Sequence, residues 1–466
     1  MKKKEKLLEK TRKLSAQEGA VSSVMFGGAE SHIIPYAIEL GANNLQTGLL
    51  ASLANLFAPM AQIFGSRMME KFHRKKIIFW SVFFQAAVCL FLSFLGIFFL
   101  LTEKALFLVP IFIISYVIYH ISGSIAGPAW FSMMGDVVPE EIRGKYFSFR
   151  NKISGIAAVT ATLIAAAVLY YFQQYEIIVG FIIIFSAGGM ARLISGLMLR
   201  KHYIEELKLE KDYYFPFWKF IKDIPKYNFN KFTVHIGLVK FAANIAGPFF
   251  AVYTWSHLRL NPIWFTAIII SAGVFNFLFF PLWGKFADKY GNRELLRISN
   301  LILIFPPLFW MLSDNPIYLL LVPQFFAGAG WSAFNLSSSN FIYDSVGPKR
   351  RGMLVAYSNL IGGFGIFLGA TLGGFITQYV TLSFINIFFF VFLLSSLLRF
   401  VVFLFVLPMI KEVRKEYHPG MRNPLNYLRD IEPIYGTFHL TAYPFKRFIN
   451  FTHKIKINRK SRITYY

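Results

Sequence analysis

The residues of this chain that could carry chemistry are the few charged side chains that fall inside long apolar runs. Glu30 is the one carboxylate near the middle of such a run. Lys240 lies in the run that occupies the corresponding place in the second half of the chain. A charge at the centre of a bilayer costs about 2.5–3.5 kcal/mol even on the mildest scale. An acid and a base at this depth indicate the binding of a proton or of a charged group.

Lys240 is the expected partner of Glu30. With Pro35 placed in register with Pro248, Lys240 falls about one helical turn from the level of Glu30, within reach of a long side chain. Asn244 follows on the same helix face, four residues on. We expect Glu30 to take up a proton or a cationic group of the substrate while Lys240 alternately neutralises it. The alternatives are a static ion pair, or two residues that face separate water-filled vestibules.

Two further runs carry stripes of polar and aromatic side chains. The fourth apolar run offers Tyr116 and His120, and the tenth offers Gln324, Trp331 and Asn335. These side chains could line a polar cavity with aromatic walls, or they could serve helix–helix packing. His120 has no acidic residue in its own run, which disfavours an enzyme built on a histidine–carboxylate pair.

The elements that position these residues are predicted to be membrane-spanning helices. The chain has 466 residues, of which 56% are hydrophobic and 15% charged, with a mean hydropathy of +0.50. Soluble domains have about a quarter of their residues charged, so a polytopic membrane protein is indicated. The single cysteine, Cys89, excludes an intramolecular disulfide and a cysteine-ligated zinc. We expect no metal site, no cofactor and no ATP hydrolysis through a P-loop, since that motif is missing from the sequence.

Twelve apolar runs, six in each half, are mostly long enough to cross a hydrocarbon core of about 30 Å. They cover residues 20–40, 46–66, 77–101, 105–134, 153–172, 176–199, 233–255, 263–283, 295–312, 316–342, 353–377 and 382–409. The predicted fold is an all-α integral membrane protein with twelve transmembrane helices in two pseudo-symmetric six-helix bundles. Its predicted parts are a tail (1–19), a bundle (20–204), a central loop (205–231), a second bundle (232–410) and a basic tail (411–466).

The basic residues predict the orientation. Of the 48 Lys and Arg residues, 43 fall in the two tails and in the loops on one side. The loops on the opposite side contain Lys104 and Arg259. This asymmetry places both termini in the cytoplasm, and we expect a multi-pass protein of the plasma membrane. The net charge of +24 is thus explained by topology, so anionic lipid is an expected partner of the basic tails and nucleic acid is not.

The two halves share a repeated segment. Residues 136–155 recur at 344–363 with seven of twenty positions identical. A repeat of roughly 200 residues indicates a duplicated half-protein. The matched polar and glycine positions include Asp136 and Asp344, Arg143 and Arg351, and Gly144 and Gly352. Arg192 and Arg399 also correspond, each in the last span of its half.

The loop after the eighth span carries a known pattern. It reads GKFADKYGNR and matches Gly-x-x-x-Asp-x-x-Gly-x-Arg with Gly284, Asp288, Gly291 and Arg293. Through this motif, the twelve spans and the duplicated halves, the chain resembles the major facilitator superfamily. The loop after the second span, SRMMEKFHRKK at 66–76, departs from the pattern. There Ser66 and His73 stand where glycines are expected, and Glu70 where aspartate is.

The resemblance implies contacts at the membrane rim that hold one face shut and break when the halves rock. Asp288 would be the carboxylate of this lock, with Glu70 as its first-half counterpart. The network would be extended by Asp136 with Arg143, by Asp344 with Arg351, and by Arg192 and Arg399 reaching towards those aspartates. The alternative is that these residues only set topology and cap helices.

The resemblance also implies a function. It predicts a secondary active transporter that moves a small solute by alternating access around a central site, and that is not an enzyme. A small-molecule substrate and a coupling ion, with the proton favoured, are the expected partners, and a monomer is the expected state. An uncoupled facilitator and a non-transporting sensor with the same fold are the alternatives.

Overall fold

All regular structure in the described part of the chain is helical. A computed structural model describes residues 2–102, 107–203, 217–222, 224, 226–345 and 348–413. Ten of its helices are long and apolar enough to cross a membrane. The other two predicted spans, the first and the ninth, are also helical. The predicted all-α fold with twelve spans is confirmed.

The helix boundaries agree closely with the predicted runs, and most helices extend past them. In the first half the helices are α1 (Lys2–Val24), α2 (Ile33–Glu39), α3 (Asn44–Met68), α4 (Arg74–Thr102), α5 (Leu108–Val137), α6 (Glu140–Phe172) and α7 (Ile177–Arg200). A short helix, α8 (Phe217–Lys222), lies between the halves in sequence. In the second half they are α9 (Asn228–Val252), α10 (Pro262–Tyr290), α11 (Asn292–Phe309), α12 (Pro316–Ser345), α13 (Pro348–Tyr379) and α14 (Ile387–Val401).

The first span is irregular in its middle. A π-helical turn, Met25–Ala29, and a 3₁₀ turn, Glu30–His32, separate α1 from α2. Gly27 lies so close to α6 that an added Cβ would stand 2.1 Å from the carbonyl oxygen of Ala158. Only glycine permits this approach, and π turns of this kind occur frequently at functional sites.

The predicted N-terminal tail is not separate from the first span. Helix α1 runs without a break from Lys2 past residue 19, and it packs on α6 and α7. Ser15 and Glu18, both assigned to the tail, are buried. The boundary at residue 19 therefore marks a change in polarity, not the start of the folded bundle.

Both ends of the described chain lie on one side of the membrane, because the chain crosses it an even number of times. This side is called the terminal side and the opposite one the far side. Helix α13 packs closely on α9 of its own half and on α3 of the other half. A Cβ added at Gly365 would stand 2.2 Å from the carbonyl oxygen of Gly237, and one at Gly48 would stand 2.6 Å from that of Ala370. Small residues thus set the distances within and between the halves.

We expect Gly365→Ala to lower the free energy of unfolding by about 1–3 kcal/mol, because the new methyl group overlaps the backbone of α9. Gly273→Ala is the matched control, since a Cβ there has nothing within 4 Å. Its effect should be neutral or stabilising by up to about 1 kcal/mol, from helix propensity. Thermal unfolding of the purified variants measures both. Equal melting temperatures for the two would contradict this account of the α9–α13 packing.

Candidate functional site

Glu30 is held by a tyrosine of α5. Its Oε2 accepts a hydrogen bond of 2.8 Å from the hydroxyl of Tyr119, which is almost fully buried. Its Oε1 lies 3.8 Å from Nε2 of His120 on the same helix. The Glu30 side chain retains 27% exposure and that of His120 24%. The carboxylate is thus oriented by one neutral donor and lies next to an imidazole.

The imidazole of His120 is enclosed by aromatic rings. The ring of Tyr116 lies edge-on to it at 4.6 Å and that of Tyr119 at 5.3 Å. The rings of Tyr116 and Tyr119 are stacked on each other with their centroids 5.8 Å apart, so each ring holds the other in place beside the imidazole. Tyr116 and His120 therefore lie on one helix face, as predicted. The carboxylate beside His120 is that of Glu30, which belongs to a different span.

Lys240 is not the partner of Glu30. No carboxylate oxygen of the described residues lies within 4 Å of its ammonium, so the static ion pair, one of the alternatives, is not present. Alternate neutralisation of Glu30 by Lys240 stays a prediction. The side chain runs along α13, where a Cβ at Gly362 would stand 2.8 Å from Nζ. Asn244 donates to the carbonyl oxygen of Lys240 at 2.8 Å and is thereby bound to its own helix.

The predicted stripe on the tenth span divides between two environments. Gln324 and Trp331 are half-buried, and Asn335 is exposed. The Trp331 ring packs edge-on against Phe334 and joins an apolar cluster of the second half. For Trp331 the helix-packing alternative describes the contacts.

Arg192 binds acid and amide groups inside its own half, so the predicted contact with the rim aspartates is wrong. Its Nε donates to Gln85 Oε1 at 2.8 Å, and its Nη1 lies 3.8 Å from Glu18 Oε1. Glu18 also accepts from Ser195 at 2.7 Å and from Arg150 at 3.3 Å. Glu18 is 3% exposed and Arg192 8%, so this is a buried ion network that joins α1, α4, α6 and α7. Arg192 is also close enough to Glu30 and Tyr119 to interact electrostatically with them.

Arg399, the counterpart of Arg192, is buried without an acid. Its guanidinium donates to the carbonyl oxygens of Leu303 and Ala243. Within the described residues no carboxylate lies within 4 Å of it, so its predicted contact with Asp344 is also wrong. The two halves therefore hold their matching arginines by different means.

At the terminal side each half contains one polar clasp between neighbouring helices. Arg74, the first residue of α4, forms an ion pair of 2.7 Å with Asp136 in the last turn of α5. Asn292, the first residue of α11, donates to Asp344 in the last turn of α12, also at 2.7 Å. The repeated aspartates thus have equivalent places, and both bind within their own half.

The two predicted loop motifs join neighbouring helices at the terminal side: residues 66–76 join α3 to α4, and residues 284–293 join α10 to α11. Gly291 has a φ of +87°, a left-handed conformation that favours glycine and lets α11 begin directly after α10. Arg293 is bound to the end of its own half, through Glu412 at 2.7 Å and the carbonyl oxygen of Ile410 at 2.8 Å. Gly284 has nothing within 4 Å of its Cβ position, and Glu70 and Asp288 are exposed.

Part of the predicted network cannot be placed. The side chains of four residues lie outside the described part of the chain, namely Arg143, Gly144, Arg351 and Gly352. The basic tail and most of the central loop also lie outside it.

Five hydrogen bonds between described residues join the two halves, and all lie nearer the far side. The shortest of the five runs from the indole nitrogen of Trp255 to Glu39, at 2.7 Å. His32 Nδ1 donates to the carbonyl oxygen of Gly28 at 2.8 Å, and its Nε2 lies 3.0 Å from the hydroxyl of Thr266. In the remaining three, the Asn44 side chain donates to the carbonyl oxygen of Thr377, the Asn44 backbone N–H donates to the Gln378 side chain, and the hydroxyls of Ser52 and Thr371 bind each other.

A cavity of about 490 Å³ opens on the far side beside the Glu39–Trp255 bond. Its polar walls include Glu176 and Arg259, one from each half. Glu39 and Trp255 thus both line this cavity, together with residues of both halves.

The sequence profile of the Major Facilitator Superfamily matches residues 19–280 and 236–429. The chain belongs to the Major Facilitator Superfamily. It is therefore a multi-pass membrane protein of a transporter family and not an enzyme, as the sequence predicts.

Solved structures of this superfamily have the same fold. The nucleoside transporter NupG has a TM-score of 0.66 at 14% identity, over 86% of this chain and 99% of its own. The inward-open xylose transporter XylE from E. coli has 0.60 at 15%, over 88% and 98%.

Curated members of the superfamily match over shorter stretches. Vacuolar basic amino acid transporter 2 of Saccharomyces cerevisiae is 28% identical over 177 residues, 38% of this chain and 36% of its own. A Na(+), Li(+), K(+)/H(+) antiporter of Planococcus maritimus is 28% identical over 177 residues, 38% of each chain. The matched region thus spans less than two-fifths of these relatives.

The central residues that sequence reasoning missed are Tyr119, Glu18 and Thr266. Tyr119 precedes His120 directly, and its role depends on which helix lies opposite. Glu18 was assigned to a tail, although its apolar neighbours Gly19 and Ala20 lead directly into the first span. Thr266 is 234 residues from His32, and no local pattern connects them.

We expect Glu18→Ala to destabilise the protein by about 3–5 kcal/mol, because it leaves Arg192 and Arg150 buried without their carboxylate. Glu9→Ala is the matched control on the same helix. Glu9 and its partner Lys13, 2.8 Å away, are both exposed, so the melting temperature should hardly change. Thermal unfolding at neutral pH compares the two. If both variants unfold like the unmodified protein, the network does not hold α1 in place.

His202, just after α7, gives the protein a pH-dependent stability. It is buried with neither nitrogen hydrogen-bonded among the described residues. Burial, with smaller contributions from Lys75 and Arg150, lowers its pKa from 6.5 to about 4. At pH values between the pKa of the unfolded state and that of the folded state, His202 is protonated in the unfolded chain but not in the folded protein. The free energy of unfolding therefore falls as the pH drops through this range.

The contribution of His202 to this loss should reach up to about 3 kcal/mol by pH 4, and His202→Phe should make the slope shallower by that contribution. Melting temperatures from pH 7.5 to 4.5 measure this slope. His73→Gln, in the exposed turn after α3, should keep the slope of the unmodified protein. An unchanged slope in His202→Phe would assign the acid sensitivity to other groups.

Proposed function

We propose that this protein is a secondary active transporter that moves a small solute by alternating access and couples it to a proton through Glu30. The observation that carries the proposal is the state of Glu30. It accepts one hydrogen bond from Tyr119, and no Lys or Arg nitrogen of the described residues lies within 4 Å. A partly exposed carboxylate inside the spans without a direct cationic partner is a binding site for a proton or a cation.

Magnitudes favour a reversible site. An ionised carboxylate at the bilayer centre costs about 2.5–3.5 kcal/mol. A hydrogen bond to a charged group returns about 1.5–3 kcal/mol. The cost of the charge and the gain from the hydrogen bond nearly cancel. The charge of Glu30 can therefore be changed by a bound proton or retained through the attraction of the more distant Arg192. Such a balance suits a group that must bind and release a proton in each cycle.

The available driving force is sufficient. One proton moving down about 100 mV contributes about 2.3 kcal/mol, and one pH unit contributes about 1.4 kcal/mol. Together they support a solute gradient of several hundred-fold. A related protein is by name an antiporter that exchanges alkali cations for protons, which makes proton coupling a natural use of this carboxylate.

We propose that the terminal side is cytoplasmic, because 43 of the 48 Lys and Arg residues lie there or in the tails. The hydrogen bonds between the halves then close the outer face. The clasps Arg74–Asp136 and Asn292–Asp344 would make each half move as a unit, while Glu70 and Asp288 at the exposed rim would take part in the contacts that close the inner face. We further propose a monomer in the plasma membrane, with anionic lipid at the basic tails.

The test uses protein reconstituted in liposomes with an imposed pH gradient and a panel of labelled amino acids, nucleosides and sugars. For any solute that is accumulated, we expect Glu30→Gln to reduce accumulation at least tenfold, because the variant cannot carry the proton. Exchange of labelled for unlabelled solute at equal pH should persist, since it needs no net proton movement.

Asp314→Asn is the matched control. Asp314 also accepts a tyrosine hydroxyl, that of Tyr253 at 2.6 Å, but it lies in the loop after α11. It should keep gradient-driven accumulation. Accumulation that is unchanged in Glu30→Gln would exclude coupling at this residue, and equilibration without accumulation would identify a facilitator. No movement of any solute in the unmodified protein would favour a sensor.

A further inference from the structure

Among the described residues, Lys240 is a basic side chain inside the spans that lacks a polar partner. Its ammonium has no hydrogen-bond acceptor and no carboxylate within reach among the described residues, and its side chain is only half-buried. Arg399, the other basic residue inside the second half, instead donates to two carbonyl oxygens. An ammonium left in this condition requires either water or an anion beside it.

The ammonium lies against one glycine of α13. A Cβ at Gly362 would stand 2.8 Å from Nζ. The next residue, Gly363, faces the first half, because a Cβ there would stand 2.5 Å from the carbonyl oxygen of Asn55 on α3. Lys240 thus packs on α13, the helix that contacts both α9 of its own half and α3 of the other half.

The charges inside the two halves are unequal. In the first half, Glu18 and Glu30 are balanced by Arg150 and Arg192. Inside the second half, Lys240 and Arg399 are basic. The described carboxylates of its spanning helices, Asp288, Glu294 and Asp344, lie at the ends of those helices on the terminal side. The interior thus carries an excess of positive charge that a bound anion would neutralise.

Protonation of Glu30 increases this excess by one charge. The groups that face Glu30 are Tyr119 and His120 from α5, with Arg192 of α7 and Cys89 of α4 further off. None of them supplies a second carboxylate to replace the lost negative charge. A proton on Glu30 therefore makes the interior more attractive to an anion.

We propose that Lys240 binds an anionic oxygen group of the substrate, such as a carboxylate, and that one proton taken up by Glu30 accompanies it. This rests on the proposed function and names the substrate class. The Glu30 carboxylate gains a proton to become a neutral acid, while the substrate anion pairs with the Lys240 ammonium. No covalent bond of the substrate is made or broken. For a monoanion the transported charges cancel, so the step is electroneutral.

The test measures the charge of the site directly and needs no knowledge of the substrate. Cys89 is the single cysteine, so Cys89→Ser with Asn244→Cys places one thiol a helical turn from Lys240. Two reagents of similar size label it, the anionic methanethiosulfonate ethylsulfonate and the cationic methanethiosulfonate ethyltrimethylammonium. The ratio of the anionic to the cationic labelling rate reports the local potential and cancels changes in thiol ionisation.

We expect Lys240→Gln to lower this ratio about tenfold, and Lys240→Arg to keep it. Glu30→Gln, which imitates the protonated carboxylate, should raise it several-fold. Asp314→Asn, at the far side, should leave it unchanged. If Lys240→Gln does not fold, Lys240→Arg and Glu30→Gln still decide. A ratio that none of the central variants alters would overturn the proposal, and so would a thiol that neither reagent reaches.

This outcome is separable from that of the proposed function. Labelling as expected without gradient-driven accumulation would retain the anion site and reject proton coupling. Proton-driven accumulation with labelling that does not depend on Lys240 would retain the transporter and reject the anion site.

Discussion

The structure depends on how it compensates charges that are removed from water. A hydrocarbon core provides neither counterions nor water, so each buried ion needs a partner, a set of dipoles or a space open to solvent. The first half uses the first solution, with Glu18 between Arg150 and Arg192. The second half uses the second solution for Arg399, which is bound by backbone carbonyls. Glu30 and Lys240 have only partial compensation, and both are partly exposed.

This distribution separates scaffold from site. Fully compensated charges are costly to disturb, and they fix helices relative to one another. The buried network around Glu18 joins four helices, and the clasps at the terminal side join α4 to α5 and α11 to α12. Incompletely compensated charges can change partner or protonation state at little cost. Among the described residues, Glu30 and Lys240 are in that condition, one in each half.

Glycines set the other constraint, the distance between helices. At Gly365 the backbone of α13 approaches α9 of its own half so closely that no methyl group would fit. At Gly48 the backbone of α3 approaches α13 of the other half in the same way. Without a hydrophobic driving force between helices in lipid, such close packing and a few hydrogen bonds provide most of the cohesion. The interface between the halves combines the two at the far side, where Trp255, Thr266 and the outer part of α13 bind the first half. Few polar contacts therefore join the halves among the described residues.

The sequence by itself determined the twelve spans and the family. These follow from hydrophobic length and from the pattern Gly284–Arg293, which are local properties of the chain. It also identified Glu30, Lys240 and His120 as the unusual residues, because an ionisable group within an apolar run is visible without a structure. The tertiary structure alone decided their partners. Which side chain meets Glu30 depends on the packing of α5 against an irregular first span. That packing places Tyr119 and His120 beside the carboxylate and leaves Lys240 against Gly362, on a different helix and some 120 residues away. Contacts of this kind depend on helix rotation and on close approach at glycines, and no periodicity in the sequence specifies either.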